Sequence, residues 1–188
     1  INKSDSAKYM RKSIRKNKVF RATIVPVSLF AAGAIAMSGE SHTLISKQSF
    51  QSEFLEENYN PAFHMEDYTR DLPIVAVYGL NLAGIKGKNN FMERTIILGK
   101  AMLIQHILVT TLKRSINIER PDGGNSSFPS SHTARAFMAA TFMHYEFGQR
   151  SIWYSIGAYS SAVFTGYMRM RHNHHWVNDV LVGAGIGI

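Results

Sequence analysis

Residues 22–39, "ATIVPVSLFAAGAIAMSG", run for eighteen positions without a charge and follow directly on an arm, residues 1–21, that holds eight lysines and arginines against Asp5. Such a run must be buried in a protein core or in lipid. The basic flank reads as the start of a membrane helix with a cytoplasmic N-terminus. The net charge of +8 lies almost wholly in that arm. A basic tail also suits nucleic acid, but the direct junction with an apolar run assigns it to a membrane surface, and no nucleic-acid partner is expected. Two other readings fit the same segment. Ala34-Ile35-Ala36 resembles a signal-peptidase site, which would make 1–36 an export signal. Eighteen residues is also near the lower limit for a span, so a buried helix of a soluble domain remains.

Further apolar stretches follow at short intervals: 72–85, 96–112, 133–149, 151–168 and a last one from Val177. β-branched alternation is scarce in them, which predicts an all-α helical bundle of about six membrane-spanning or membrane-embedded helices. The 188 residues fit one domain, 1–188. No cysteine is present, so disulfides and thiolate metal sites are excluded. Residues 40–71 are acidic, with seven Asp or Glu against Lys47 and Arg70. Within them Leu44, Ile45, Phe50, Phe54 and Leu55 share a helical face, so an amphipathic helix over 44–57 is expected on a surface. Alternating spans put Lys86, Lys88, Arg94 and Arg150 inside and the acidic loop outside, as the positive-inside rule requires. Arginines 114, 120, 169 and 171 fall on the outer side and need another reason to exist.

Three clusters share that outer end. Lys113 and Arg120-Pro121 stand at a helix end and the loop beyond; Pro129-Ser130-Ser131-His132 opens the next helix; Arg169, His175 and Asp179 form the third. Each has an ordinary explanation. Cations satisfy helix C-termini, and Pro-Ser-Ser is a common helix start. The histidines of "HNHH" are adjacent in an extended loop and rarely converge on one ion, so no metal is expected. Gly183, Gly185 and Gly187 serve close helix packing. Jointly the clusters say more. Lys113, Arg120 and Arg169 could surround an anion seated over the amides at Ser130, Ser131 and His132. His175 and Asp179, four apart, share one helical face, so the carboxylate can orient an attacking imidazole. His132 is then a separate imidazole able to protonate a leaving oxygen.

The pattern Lys-x6-Arg-Pro, Pro-Ser-x-His, Arg-x5-His-x3-Asp over residues 113–179 resembles the three-part signature of the type-2 phosphatidic acid phosphatase superfamily. That group includes lipid phosphate phosphatases, bacterial acid phosphatases and vanadium haloperoxidases. The resemblance implies that Lys113, Arg120, Ser130, Ser131 and Arg169 bind phosphate. It also implies that His175 is transiently phosphorylated, that Asp179 orients it and that His132 is the general acid, with no cofactor and no metal. Ser131 stands where the family usually has Gly, and Met168 replaces the Ser that commonly precedes the third-motif Arg.

The expectation is a multi-pass bacterial inner-membrane phosphatase, its site at the outer, periplasmic end of the bundle. Its substrate would be a phosphorylated lipid: lipid A, phosphatidylglycerophosphate, undecaprenyl diphosphate or phosphatidic acid. A soluble exported acid phosphatase and a non-catalytic membrane protein that binds anionic lipids are the alternatives.

Overall fold

The computed structural model describes residues 18–38 and 64–188; the basic arm ahead of residue 18 and the amphipathic segment expected at 44–57 lie outside the described residues. Among the described residues there are seven helices and no strand. They are α1 (Lys18–Ser38), α2 (Glu66–Thr69), α3 (Leu72–Leu82), α4 (Phe91–Ser115), α5 (Ser131–Phe147), α6 (Ile152–Arg171) and α7 (Val177–Gly187). Each of the apolar stretches became a helix, so the all-α expectation holds. Local chemistry sets several boundaries. Asn90 and Glu93 cap α4 reciprocally, with Glu93 N–H donating to Asn90 Oδ1 (2.9 Å) and Asn90 N–H to Glu93 Oε2 (3.3 Å). Ser151 caps α6 by accepting from the Trp153 N–H. The cap at Asn90 starts α4 five residues before the apolar run that marks it in the sequence.

Helix α5 is the central element, packed against α3, α4, α6 and α7, while α1 lies on α7. Small residues make this arrangement possible. Ala134, Ala136, Ala139 and Ala140 are fully buried on α5, and Val77, Leu98, Phe142, Met143, Phe147, Ala158 and Ala162 complete the core. Two glycines of α7 let it lie against α5 backbone to backbone. A Cβ on Gly183 would sit 2.7 Å from the Ser130 carbonyl oxygen, and one on Gly187 would sit 2.5 Å from that of Ala134.

Outside this core the molecule is unusually apolar. Helix α4 is 25 residues long and apolar enough to cross a membrane, with 11% of its most apolar window buried in the protein. Its Ile96, Ile97, Leu103, Ile104, Ile107 and Leu108 are all exposed. Trp153, Ile156 and Val163 of α6 and Leu72, Val75 and Leu82 of α3 are exposed as well. A bundle with an apolar core that also exposes large apolar side chains along three helices suits lipid around those helices.

The end of the bundle away from the sequence motifs is closed by a buried ion pair. Arg94 Nε donates to Glu146 Oε2 at 3.0 Å with both side chains essentially inaccessible. Glu146 also accepts from Asn89 Nδ2 (2.5 Å), and Arg94 donates to the Asn89 carbonyl (2.8 Å). This corrects the reading of Arg94 as a loop charge: it lies in the first turn of α4 and its charge is spent on Glu146. Lys86, Lys88 and Arg150 remain at that end as loop cations.

Gly183→Ala is expected to destabilise the fold by about 1–3 kcal/mol, because the added methyl meets backbone that cannot yield as a side chain would. Thermal unfolding in detergent measures this. An unchanged midpoint would mean that α5 and α7 are not held at this separation.

Candidate active site

The three sequence clusters meet at one end of the bundle, where α4 and α6 finish and α5 and α7 begin. Helix α4 carries Lys113 in its last turn, and its ammonium donates to the carbonyls of Ser126 (2.6 Å) and Ser127 (3.3 Å). Those two residues belong to the loop that carries Arg120. The loop folds back on itself through Arg120 N–H to the Gly124 carbonyl (2.7 Å) and Ser127 N–H to the Ile118 carbonyl (2.8 Å). It then enters α5 through a cis Phe128–Pro129 bond.

Asp179 joins the pieces. Its carboxylate is completely buried and accepts from Ser127 Oγ, from the Trp176 N–H (2.9 Å) and from Asn178 Nδ2 (2.9 Å). Its backbone carbonyl accepts from the Ser130 N–H at 3.0 Å. His175 Nδ1 faces Asp179 Oδ2 at 3.5 Å, but His175 stands in the loop just ahead of α7, so the loop, and not a shared helical face, brings the two together. That separation is long for a hydrogen bond, since the same oxygen already serves Ser127 and Trp176. Burial pushes the His175 imidazole down to about 4, against the pull of Asp179, and Arg169 and Lys113 add to the lowering. The ring is therefore neutral at physiological pH, the state in which an imidazole can act as a nucleophile.

Two cations, Arg169 and Lys113, act on this histidine. Lys113 lies within electrostatic reach of Arg120, Arg169 and Asp179, and Arg169 within reach of Arg120. Three cations from separate parts of the chain thus converge. The Nε–H groups of Arg120 and Arg169 are both buried with no acceptor among the described residues. Buried donors normally have partners, and a tetrahedral oxyanion would supply them.

The helix start at Ser130 differs in one respect from the sequence expectation. Ser130 is wholly buried, its N–H is given to Asp179, and its Oγ accepts from Thr133 N–H (3.4 Å) and Thr133 Oγ (2.9 Å). It holds α5 against α7, and its amide does not point at an anion. Ser131 and His132 remain as first-turn residues whose N–H groups have no helical partner, with Ser131 half-buried beside them.

Two acidic residues join the site that no motif flags. Helix α2 brings Glu66 and Asp67 against it. Glu66 is fully buried and pairs with Arg169 Nη1 at 3.3 Å. Asp67 Oδ1 lies 2.8 Å from His132 Nε2 and 3.6 Å from Arg70. Helix α2 is anchored in turn by Thr69, whose hydroxyl bonds Thr165 Oγ1 (2.9 Å) and whose carbonyl accepts from Ser161 (2.7 Å). Asp71, just beyond it, holds Arg135 of α5 at 2.5 Å. The only hint in the sequence is that Glu66, Asp67 and Asp71 close the acidic stretch. Burial and the Arg169 charge lower His132 to about 4, with Arg70 contributing and Asp67 opposing.

The model of one protein family, the PAP2 superfamily, matches residues 94–188. Among curated proteins, the lipid A 1-phosphatase of Porphyromonas gingivalis is 38% identical over 133 residues, which are 68% of this chain and 29% of that protein. The chain thus spans under a third of that relative's length. Among solved structures, LpxE of Aquifex aeolicus superposes with a TM-score of 0.57 at 23% identity, over 75% of this chain and 89% of that one. The transmembrane PAP2 type phosphatidylglycerolphosphate phosphatase of Bacillus subtilis superposes at 0.50 and 20% identity, over 86% and 90%. These two likenesses concern the fold.

Asp67→Asn is expected to lower the His132 proton affinity further, since it removes a negative charge that now opposes Arg169 and Arg70. The imidazole ring nitrogens, followed by NMR across a pH series, report this. A His132 titration that stays in place or moves upward would separate Asp67 from His132.

Proposed function

The chain belongs to the PAP2 superfamily, and from that premise we propose that it hydrolyses a phosphate ester of a membrane lipid by way of a phosphohistidine. The observation that carries this reading is a buried, neutral His175 within reach of Lys113 and Arg169, with Arg120 in reach of both cations and two buried guanidinium Nε–H groups without a partner among the described residues.

In this mechanism Lys113, Arg120 and Arg169 hold the non-bridging oxygens, and the Ser131 hydroxyl and the first amides of α5 hold the remaining edge. His175 attacks phosphorus through Nε2. The N–P bond forms as the bond to the lipid oxygen breaks, and His132 gives that oxygen its proton. Water, giving a proton back to His132, then displaces the histidine and releases inorganic phosphate. Asp179 receives the imidazole's Nδ1 side as charge develops on the ring, and the long 3.5 Å contact shortens at that stage. Asp67 is a positioning residue: it fixes the His132 ring and sets its proton affinity.

The apolar surface supports a lipid substrate. Apolar side chains cover α3, α4 and α6 up to the level of the site, so an acyl or prenyl tail can lie along the bundle while the phosphate enters between α4, α5 and α7. Lys86, Lys88 and Arg150 at the far end orient the chain with that end inside and the site facing the periplasm of an inner membrane. Because the curated relative is a lipid A 1-phosphatase, a glycosyl 1-phosphate of lipid A is the first substrate to try. Phosphatidylglycerophosphate, undecaprenyl diphosphate and phosphatidic acid form the comparison set.

Phosphate release from that panel in detergent, with soluble monoesters as controls, tests the proposal. His175→Ala should lose about 10³-fold or more in kcat, and vanadate should inhibit as a five-coordinate phosphorus mimic. Release from no lipid, or an active His175→Ala, would defeat it. A second outcome concerns pH. With its acid already neutral in the free chain, kcat/KM should rise as pH falls from 7 towards the His132 value of about 4. Asp67→Asn should move that limb to lower pH, whereas a purely structural aspartate would lower the rate at every pH alike.

A further inference from the structure

Three histidines that the proposed reaction does not use meet beside the phosphate site. His64 comes from the segment ahead of α2, and His172 and His174 come from the loop between α6 and α7. One ring nitrogen from each lies within 4.8 Å of the other two. Their ring centroids are 5.3 Å (His64–His172), 6.1 Å (His64–His174) and 6.2 Å (His172–His174) apart, at edge-on or tilted angles. Zinc–nitrogen bonds of 2.0–2.1 Å at tetrahedral angles put coordinated nitrogens roughly 3.4 Å apart and ring centroids roughly 5 Å apart. The His64–His172 pair already matches that spacing, and His174 needs a shift of about an ångström. That is within the reach of a half-buried side chain on a loop.

The second observation concerns the carboxylates around the rings. His64 and His172 place Nδ1 on the same Glu66 oxygen, at 3.2 and 2.7 Å. His174 places Nδ1 on Asp122 Oδ2, at 2.8 Å. A metal-bound imidazole typically gives its second nitrogen to a carboxylate, which orients the ring and raises its basicity. Each of the three rings has a carboxylate on its Nδ1, supplied by two residues from separate parts of the chain, and a metal held by the Nε2 atoms would leave those bonds in place. Neutralising Glu66 does not account for the cluster, because Arg169 already pairs with it. The pattern also differs from the one excluded on sequence, since the converging rings skip Asn173 and His175 and recruit His64 from more than a hundred residues away.

We propose that His64, His172 and His174 bind one divalent transition-metal ion of the zinc class, with Glu66 and Asp122 as the outer carboxylates. Imidazole donors select zinc, nickel or copper over magnesium and calcium. The ion sits off the reaction path and acts as a clip. It ties the segment leading into α2, which carries Glu66 and Asp67, to the loop that presents His175 and to the turn at Asp122 beside Arg120-Pro121.

The test uses the full chain, purified without a histidine tag, stripped with chelator and titrated with zinc chloride by calorimetry and thermal unfolding. One zinc ion per chain and a raised unfolding midpoint are expected, with magnesium at the same concentration giving neither. His64→Gln and His174→Gln, both at the accessible side of the cluster, should each weaken zinc binding at least tenfold, and the double variant should abolish it. Cobalt(II) bound to the wild-type chain gives a readout independent of any variant, since a low-coordinate histidine site produces intense visible d–d bands. Failure of zinc to bind stoichiometrically, an isotherm unchanged in the double variant, or cobalt spectra of hexahydrate type would each overturn the proposal and leave a hydrogen-bonded histidine cluster. His175→Ala should retain the zinc, so loss of the phosphatase reading and loss of this one give different results.

Discussion

The buried carboxylate of Asp179 is the point on which the site is assembled. One side chain accepts from Ser127, Trp176 and Asn178 while facing His175, and the carbonyl of the same residue receives the Ser130 N–H. Motif two is therefore fastened to motif three through one residue, and the loop of motif one reaches it through Ser127. An uncompensated carboxylate at complete burial would be costly; this one is stabilised by its donors. The close α5–α7 packing is a condition for it, because Ser130 can reach the Asp179 carbonyl only when no Cβ separates the helices at Gly183.

Around that anchor the balance of charge is uneven by design of the fold. Lys113, Arg120 and Arg169 repel one another in a partly desolvated space. Helix α2 offsets part of this, with Glu66 on Arg169 and Asp67 on His132 and Arg70. Glu66 engages Nη1 of Arg169 and leaves Nε unpaired. The guanidinium is held in position from behind while its Nε–H stays available. A cradle arranged in this way meets an oxyanion without having to reorganise first, which is what electrostatic stabilisation of a phosphoryl transition state requires.

The opposite end of the bundle uses charge for a different purpose. Arg94 and Glu146 pair with each other and with Asn89, closing α4 onto α5 where both leave the core. Removing one partner of such a pair leaves an isolated buried charge, at a cost of roughly 3–5 kcal/mol. The two ends therefore use their polar groups differently: at one, a single arginine is neutralised by a buried carboxylate; at the other, three cations from separate parts of the chain converge.

Helix existence and the order of the three motifs were legible in the amino-acid order, because both depend on spacing along the chain. The apolar runs at 72–85, 96–112, 133–149 and 151–168 became α3 to α6, and His175 and Asp179, four apart, do face each other, although His175 lies in the loop ahead of α7. Gly183 and Gly187 were readable as packing residues for the same reason. What distance in sequence concealed, packing decided. Asp67 meets His132 across 65 positions, Glu66 meets His172 across 106, and Ser127 meets Asp179 across 52. None of these pairs has a spacing that a helix or turn would impose. The amide of Ser130 was expected at the anion and is instead bonded to Asp179, and Arg94 was expected in a loop and is instead buried on Glu146, since only the folded chain brings those acceptors within reach. Local periodicity determined which segments are helices and which residues could be chemical; the choice of partners came from the way α2, α5 and α7 close on one another.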